Sequence, residues 1–504
     1  MGRKKHSKKL STAVVDENAS AGDTNEEPKL YTCEVSPIFG RYLKSKVEIK
    51  KGTLILSEKY LVAGPMRSSG LICLGCHSEF RDNKDRRQCS KCSWPVCGEK
   101  CASSKFHVNE CKFFMENKIP PPRVLDNNSE TAFDFGAITV LRGLLLKLNN
   151  EHDWKLLQTL EHHSQVRKDL PLWEENVKNV VEPLGKRYEL NKFFTDEEIH
   201  NVCGILEVNA FELGEEFSYR GIFPSAAMMA HECIPNATHF EDSKEGIIQI
   251  RSTVDIPPGT PITGTTQRRR MLVETKFFEC VCDRCSDPAE LGTNMSTLLC
   301  PKCRTGHVLN AKAKDKDILW QCSSCQAIMY PEEVDLLLDK YMSTAESTNG
   351  VRASETFLQD CSKYFHKNHF VPFGVKFNLC QAYGREKTPI QELHESELEK
   401  KLVLCQEVLE ILDRVTPGYT ITRGLILYEL QATEILMSRR LFETRKFSKA
   451  LLKRRLEGTV KILMEAIDIL SFAHESTPEY AMAAAAKAET LIDLRRWINI
   501  LKSK

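Results

Sequence analysis

The spacing of apolar residues divides this chain into strand-rich and helix-rich stretches. Short β-prone runs separated by turns occupy residues 30–65 and 221–265. In the first stretch, VEIKKGTLILSEKYLV predicts a hairpin that turns at Gly52, because branched residues flank a glycine there. Helical periodicity occupies residues 130–220, for example in ITVLRGLLLKL and FTDEEIHNVCGILEVNAF. It returns from about residue 331 and predicts helices at 332–343, 354–366, 396–414, 420–441, 446–474 and 478–501.

The C-terminal helices are expected to pack as an antiparallel array. An amphipathic stripe runs through Glu399, Lys400 and residues 402–411, as in a helix with one buried face. A tetratricopeptide-like array is one interpretation, although the consensus of that repeat is not visible in the sequence. The pattern as a whole predicts an α+β fold.

Composition narrows the class of protein. The 504 residues are enough for about three domains, and a net charge of +1 gives no overall field that recruits nucleic acid or membrane. No apolar run reaches the roughly 18 residues of a membrane span, and MGRKKHSKKL lacks the apolar core of a signal peptide. We therefore expect a cytoplasmic or nuclear protein in a reducing compartment, with no membrane association.

Residues 1–29 are polar and predict a disordered tail. Four lysines, Lys4, Lys5, Lys8 and Lys9, could form a weak nuclear-import or nucleic-acid patch, and the alternative is a merely solvated tail. We do not expect direct binding of nucleic acid.

The spacing of the 20 cysteines predicts zinc sites rather than disulfides. The first cluster has four ligand pairs, which are enough for two tetrahedral sites: Cys73, Cys76, Cys89, Cys92, Cys97, Cys101, His107 and Cys111. The last two pairs suit one helical turn, where positions i and i+4 share a face. Zinc would supply folding free energy that a core of about forty residues does not provide.

Two more clusters follow in the second half of the chain. Cys280, Cys282 and Cys285 need a fourth ligand, for which Cys233 in MAHECIPNATH is the candidate. Cys300, Cys303, Cys322 and Cys325 form two matched pairs separated by 18 residues, which is a zinc-ribbon spacing. We thus predict four structural zinc ions. The remaining cysteines, Cys33, Cys203, Cys361, Cys380 and Cys405, are mostly expected to be small buried residues.

The order of these motifs resembles the SET-and-MYND protein methyltransferases. The first cluster has the spacing of a MYND finger, and FGRYL and KKGTLILSE precede it. GIFPSAAMMAHECIPNATHF, VDIPPGTPI and FFECVCDRC follow it, as in a SET domain that the finger interrupts. The resemblance covers residues 30–290 and extends to the helical C-terminus. The additional ribbon suggests a divergent branch of the arthropod type.

This resemblance implies a domain plan and a metal pairing. After the tail, the plan has a first SET part at 30–72, the MYND finger at 73–111 and the SET remainder with a helical insert at 112–270. A post-SET zinc segment at 271–290, a zinc ribbon at 291–330 and a helical domain at 331–504 follow. The family braces its finger pairs across one another. One ion would then bind Cys73, Cys76, Cys97 and Cys101, and the other Cys89, Cys92, His107 and Cys111.

The resemblance also implies a function. Members of the family use S-adenosylmethionine to methylate lysine side chains of proteins, and the MYND finger binds partner peptides. Gly40, Arg41, Asn209 and His231 match cofactor-binding positions. His231 could instead be a zinc ligand or a core residue. We expect a monomer.

Three departures from the family pattern concern catalysis. Tyr42 replaces a glycine of the cofactor loop, and Ala230 replaces an asparagine that hydrogen-bonds the cofactor. The segment from Pro261 to Arg270 is shortened and has no tyrosine, so no catalytic residue is assigned. The three arginines at 268–270 could bind an anion or begin a solvated helix. A non-enzymatic MYND adaptor or transcriptional repressor is therefore the alternative hypothesis, and a splice variant of an active parent would give the same sequence.

Overall fold

The computed structural model describes residues 29–502, apart from 38, 68, 70, 81–86, 122–134, 214–218, 243–244, 262, 265–271, 273–275, 312–318, 387 and 476. The predicted basic tail, the three arginines and most of the shortened segment without tyrosine lie outside the described residues.

Sixteen strands are described, most of them short. They are β1 (Tyr31–Ser36), β2 (Gly40–Ser45), β3 (Leu54–Lys59), β4 (Val62–Pro65), β5 (Arg87–Gln88), β6 (Pro95–Val96), β7 (Phe211–Leu213), β8 (Tyr219–Ile222), β9 (Ala230–His231), β10 (Ala237–Asp242), β11 (Ile247–Ser252), β12 (Thr263–Gly264), β13 (Leu298–Leu299), β14 (His307–Ala311), β15 (Leu319–Cys322) and β16 (Ile328–Met329).

Strands from both sides of the cysteine-rich segment pair with one another. The sheets have the orders β1-β2, β10-β11-β3 and β4-β8-β7, all antiparallel, while β9 pairs with β12 in parallel. The residues before and after the insertion therefore form one domain. They share a core that includes Leu43, Ile55, Phe223, Ile248 and Ile250.

The hairpin predicted around Gly52 is wrong. Gly52 does lie in a turn, with φ near 80°. However, Ile49 bridges to Ile256 and β3 pairs with β11, so the two halves of the expected hairpin pair with the chain near residue 250 instead. Periodicity identified the strands but not their partners, because local sequence does not encode a long-range register.

The described helices lie mainly in the insert and in the C-terminal half. They are α1 (Glu99–Ala102), α2 (Val108–Glu116), α3 (Gly136–Asn149), α4 (Glu151–Gln158), α5 (Ser164–Arg167), α6 (Pro171–Asn176), α7 (Asp196–Asn209), α8 (Asp283–Ser286), α9 (Pro331–Ser347), α10 (Val351–Cys361), α11 (Phe370–Ala382), α12 (Glu395–Val415), α13 (Ile421–Glu443), α14 (Lys449–Leu470), α15 (Pro478–Ala485) and α16 (Leu491–Lys502). π-Helical turns extend α6 through Arg187 and join α15 to α16.

Helix α7 begins where its sequence predicts. Thr195 accepts a hydrogen bond from the backbone N–H of Glu198, whose carboxylate accepts from the backbone N–H of Thr195. This capping box satisfies two amide groups that a helix start leaves without partners. The apolar face of α7 then packs on α3 in the same core as the first cysteine cluster.

The C-terminal array is confirmed as helical, but α11 was not predicted. Its sequence, FVPFGVKFNLCQA, contains Pro372 and Gly374, which disfavour a helix interior. Pro372 lies in the first turn, where a missing N–H costs little. Apolar side chains lie around most of α11, because the ribbon and neighbouring helices enclose it, so no amphipathic stripe marked it.

Two loops of the helical array dock on the β domain. The backbone N–H of Tyr419 donates to the carbonyl of Thr253 at 2.8 Å. The ring of Phe472 lies 4.7 Å from the guanidinium of Arg251 and 6.0 Å from the ring of Phe240. The array is thus fixed to the outer side of the β10-β11-β3 sheet. Among the described residues, no helix has both the length and the apolar character to cross a membrane.

Gly418 tests this dock. Its φ is 79°, and a Cβ there would lie 1.9 Å from the carbonyl oxygen of Thr253. We expect Gly418→Ala to lower the free energy of unfolding by about 1–3 kcal/mol, because it adds backbone strain and a clash. Urea unfolding followed by circular dichroism measures this change.

Gly458 is the matched control. It lies on the exposed face of α14, and its Cβ position is open. Gly458→Ala should raise the free energy of unfolding by about 1 kcal/mol, because alanine is the better helix former. Equal effects of the two substitutions would contradict the proposed dock.

Candidate functional site: four cysteine clusters and the predicted cofactor-binding residues

The structure groups sixteen cysteine and histidine side chains into four sets, and within each set the ligand atoms lie within 4.8 Å of one another. The sets are Cys73, Cys76, Cys97 and Cys101; Cys89, Cys92, His107 and Cys111; Cys233, Cys280, Cys282 and Cys285; and Cys300, Cys303, Cys322 and Cys325. These are the groupings that the sequence and the family resemblance predict.

Distances between ligand atoms fit a tetrahedral zinc ion. Ligand sulfurs about 2.3 Å from one ion lie about 3.8 Å from each other. The Sγ atoms of Cys76 and Cys97 are 3.7 Å apart, and those of Cys89 and Cys111 are 3.8 Å apart. The sulfurs of Cys303 and Cys322 are also 3.7 Å apart. The donor sets therefore suit zinc in both chemistry and spacing.

A shared backbone turn forms each Cys-x2-Cys pair of the finger and the ribbon. The residue after the second cysteine has a left-handed backbone, with φ of 62° at His77, 64° at Ser93 and 58° at both Arg304 and Gln326. Its N–H donates to the carbonyl of the first cysteine at 2.9–3.1 Å. Further N–H groups reach the sulfurs, as from Gly306 to Cys303 at 3.3 Å. Such bonds favour the thiolate form that binds metal.

The third set connects distant parts of the chain. Cys233 follows β9, whereas Cys280, Cys282 and Cys285 lie at and before α8. The sulfurs of Cys233 and Cys285 are 3.4 Å apart. Cys233 thus supplies the fourth donor, and His231 is not a member of the set.

The residues predicted to bind a cofactor lie on neighbouring elements beside this third set. Gly40 begins β2, has φ of 65° and leaves its Cβ position open. The guanidinium of Arg41 donates to the carbonyl of Thr159, just after α4. Strand β2 also contacts β9, which carries His231. Tyr42, which replaces a glycine of the family pattern, packs against a neighbour in sequence: its ring lies 5.4 Å from the ring of Phe39.

Asn209, the last residue of α7, hydrogen-bonds the same segment of the chain as Arg41. Its side-chain NH₂ donates to the carbonyls of Glu161 at 2.8 Å and Ile205 at 2.9 Å. Because both amide protons are used, its Oδ1 is the atom that could accept a hydrogen bond from a ligand. A buried ion pair of 2.5 Å between Arg167 and Glu207 holds the 159–167 segment on α7.

Glycine is required where this segment crosses α7. A Cβ at Gly204 would lie 2.3 Å from the carbonyl oxygen of His162. The absence of a side chain therefore lets the 159–167 segment approach the helix closely enough for Asn209 to reach Glu161.

His231 has a polar atom without a described partner. Its Nε2 lies 3.4 Å from the sulfur of Cys233. Its Nδ1 is buried, and no hydrogen-bonding group among the described residues reaches it. Burial lowers the pKa of His231 to about 4, so the ring is neutral at physiological pH. Ala230 beside it is buried and offers no side-chain hydrogen bond.

Comparison with known proteins finds relatives that are similar over most of the chain. A curated relative from Drosophila melanogaster, "SET domain-containing protein SmydA-8, isoform A", is 28% identical over 444 residues. The match covers 81% of this chain and 90% of the relative. This similarity over most of both chains agrees with the resemblance to SET-and-MYND proteins. The fruit-fly relative also agrees with the arthropod-type branch that the extra ribbon suggests.

Other comparisons are more distant. "Histone-lysine N-methyltransferase ASHR1" of Arabidopsis thaliana is 24% identical over 486 residues, which cover 90% of this chain and 93% of that protein. A solved structure described as the SET domain of LSMT bound to lysine and AdoHcy has 12% identity and a TM-score of 0.27 across 94% of this chain and 87% of its own. This overlap is too slight to assign a ligand here. No family model matches the chain.

Sequence reasoning singled out Phe277 and Phe278, as a family aromatic near the lysine channel or as core packing, but it missed His163 and Lys276 beside them. The ring of His163 meets that of Phe277 at 5.6 Å, and the ring of Phe278 meets that of His231 at 5.7 Å. The amine of Lys276 donates to the carbonyls of Val208 at 2.7 Å and Glu207 at 3.2 Å. Burial lowers the pKa of Lys276 to about 8. A lone lysine in KFFEC gave no signal, because its partners are backbone atoms distant in sequence.

The cysteines outside the clusters behave as expected, with one exception. Cys203, Cys361, Cys380 and Cys405 are buried, whereas Cys33 is exposed. Cys33 therefore serves as a control for metal binding.

We predict about four zinc ions per chain of the purified protein by mass spectrometry of the metal. Cys303→Ser should lower the content to about three, because a set of three donors no longer completes the tetrahedron. Cys33→Ser should leave the content unchanged. About one zinc ion in the unaltered protein would contradict the four-site assignment.

Proposed function

We propose that this chain is a protein-lysine methyltransferase of the SET-and-MYND family that uses S-adenosylmethionine and contains four structural zinc ions. The observation that carries the proposal is the buried Nδ1 of His231, which no hydrogen-bonding group among the described residues reaches. Buried polar atoms of this kind are normally satisfied by a partner. The name of the Arabidopsis relative supports a histone or another protein as the acceptor.

The residues near His231 are suited to hold such a cofactor. Asn209 and His231 would accept or donate hydrogen bonds, and the open Gly40 leaves room for a ligand beside the backbone. When bound, S-adenosylmethionine supplies a methyl group on a sulfonium centre that a neutral amine can attack. The rings of Phe277, Phe278 and His163 form an apolar edge that would exclude water. Exclusion of water favours the neutral form of a substrate lysine.

The two metal sites of the finger are suited to a protein-binding module rather than to catalysis. Each of the two finger sets has four protein donors, which is typical of a structural zinc site with no open position for chemistry. We propose that the finger binds partner peptides and that the protein acts as a monomer in the cytoplasm or nucleus.

A second candidate function is a non-enzymatic adaptor built on the same scaffold. Three observations favour it: Ala230 has no polar side chain, Arg41 is hydrogen-bonded to Thr159, and the amide protons of Asn209 are used within the chain. Such a protein would retain the zinc framework and recruit partners without methyl transfer.

Calorimetric titration with S-adenosylmethionine tests whether the predicted residues bind the cofactor. We expect saturable binding by the unaltered protein. His231→Ala should weaken that binding about tenfold, since a hydrogen bond to a charged group contributes about 1.5–3 kcal/mol. The zinc content of the variant must stay at the unaltered value. His152→Ala, at an exposed position of α4, is the control and should bind normally.

A lysine-peptide library with isotope-labelled S-adenosylmethionine separates the two functions. The methyltransferase proposal predicts label on lysine, detected by mass spectrometry of the peptides. No binding at millimolar cofactor would exclude the methyltransferase and leave the adaptor. Binding with methyl transfer would exclude the adaptor as a complete account.

A further inference from the structure

A buried chain of polar groups starts at the only histidine among the sixteen donors. His107 precedes α2 with its side chain fully buried, and its Nε2 lies 3.3 Å from the sulfur of Cys92. Its other nitrogen, Nδ1, lies 2.9 Å from Oε1 of Glu110, one turn further along. The Glu110 side chain is also fully buried. A histidine that binds metal through Nε2 carries its proton on Nδ1, so Nδ1–H donates to the carboxylate.

Glu110 is paired with an arginine from the body of the protein. Arg142 of α3 donates through Nε to Oε2 of Glu110 at 2.6 Å and through Nη2 to Oε1 at 2.7 Å. This is a two-bond pairing of a guanidinium with a carboxylate. Only 9% of the Arg142 side chain is exposed. The negative charge beside His107 is therefore balanced without water.

Every N–H of Arg142 has a partner. Besides Glu110, Nη1 donates to the carbonyl of Ala63 in β4 and to Nε2 of His77, both at 2.8 Å. Nη2 also donates to the carbonyl of Leu74 at 2.8 Å. A guanidinium has five N–H groups, and these five bonds use all of them. One side chain of α3 thus joins β4, the first Cys-x2-Cys turn and α2.

We propose that Glu110 and Arg142 position the imidazole of His107 as a zinc ligand and so couple the second metal site of the finger to α3. The proposal rests on the zinc ion proposed for the Cys89, Cys92, His107 and Cys111 set. Glu110 fixes the ring orientation and the proton of His107, and Arg142 fixes Glu110. Metal at this site and packing of the finger on the helical insert then form one cooperative unit.

Packing around the network agrees with this coupling. Trp94 of the finger stacks on Phe114 of α2 at 4.3 Å, and both rings are buried. Both belong to the core that contains Leu141 and Leu144 of α3. The finger is therefore not an independent module on a linker. A change in ligand geometry at His107 would disturb the packing of that core.

The experiment compares Glu110→Gln with Glu116→Gln in the full-length protein. Both residues lie on α2, but Glu116 is exposed, 3.9 Å from the amine of Lys112. Zinc release is followed with a chromophoric chelator. We expect one of the four ions to leave about 10–100 times faster from E110Q, the usual effect of losing such an outer partner. E116Q should match the unaltered protein.

A cobalt spectrum and a double variant separate positioning from general stability. In cobalt-substituted protein, the visible bands of the Cys3His site should shift in E110Q and not in E116Q. E110Q leaves the charge of Arg142 unpaired, whereas E110Q/R142M removes both charges. The double variant should keep the fast release, because His107 still lacks its carboxylate partner.

The possible outcomes distinguish a failure of the positioning role from a failure of the metal assignment. If E110Q is insoluble, the double variant carries the comparison. Release from the double variant at the unaltered rate, or equal rates for E110Q and E116Q, would overturn the positioning role. An unaltered protein without zinc at this set would instead contradict the metal assignment, and this inference with it.

Discussion

The zinc-binding turns are the constraint on which the rest of the structure depends. Their segments contain strands of only two residues, such as β5 and β6, and a helix of four residues, α1. Elements this short do not persist in water without a cross-link. A metal ion supplies that cross-link, and its free energy of binding becomes free energy of folding. The left-handed residues after each cysteine pair show how strictly the ligand geometry constrains the backbone.

These cross-linked segments are continuous with the larger cores. The first cluster shares its core with α3 and α7, and the ribbon shares another with α9, α10 and α11. Between them, the third set links Cys233 after β9 to the chain around α8. The four cysteine sets therefore lie where separate parts of the fold meet. Loss of an ion should affect packing well beyond its four ligands.

The sequence predicted what is local and what is chemically unusual. Cysteine spacing identified all four sets, including the fourth donor Cys233, because closely paired cysteines that recur in one chain are typical of zinc binding. Periodicity located α7. The sequence did not predict that β3 pairs with β11, nor that α11 exists, because both depend on contacts distant in sequence. Arg142 and Glu110 escaped for the same reason, as ordinary charged residues in helical patterns.

The hydrogen bonds of the predicted cofactor-binding residues explain why the zinc framework and the methyltransferase activity are separate questions in this protein. Arg41 and Asn209 hydrogen-bond the 159–161 backbone, so these family positions also have a structural task here. The presence of Arg41 and Asn209 is therefore explained by these hydrogen bonds and is not evidence that a cofactor binds. Ala230 and the unpartnered nitrogen of His231 have no such task in the described structure. A test of cofactor binding therefore rests on His231 rather than on Arg41 or Asn209.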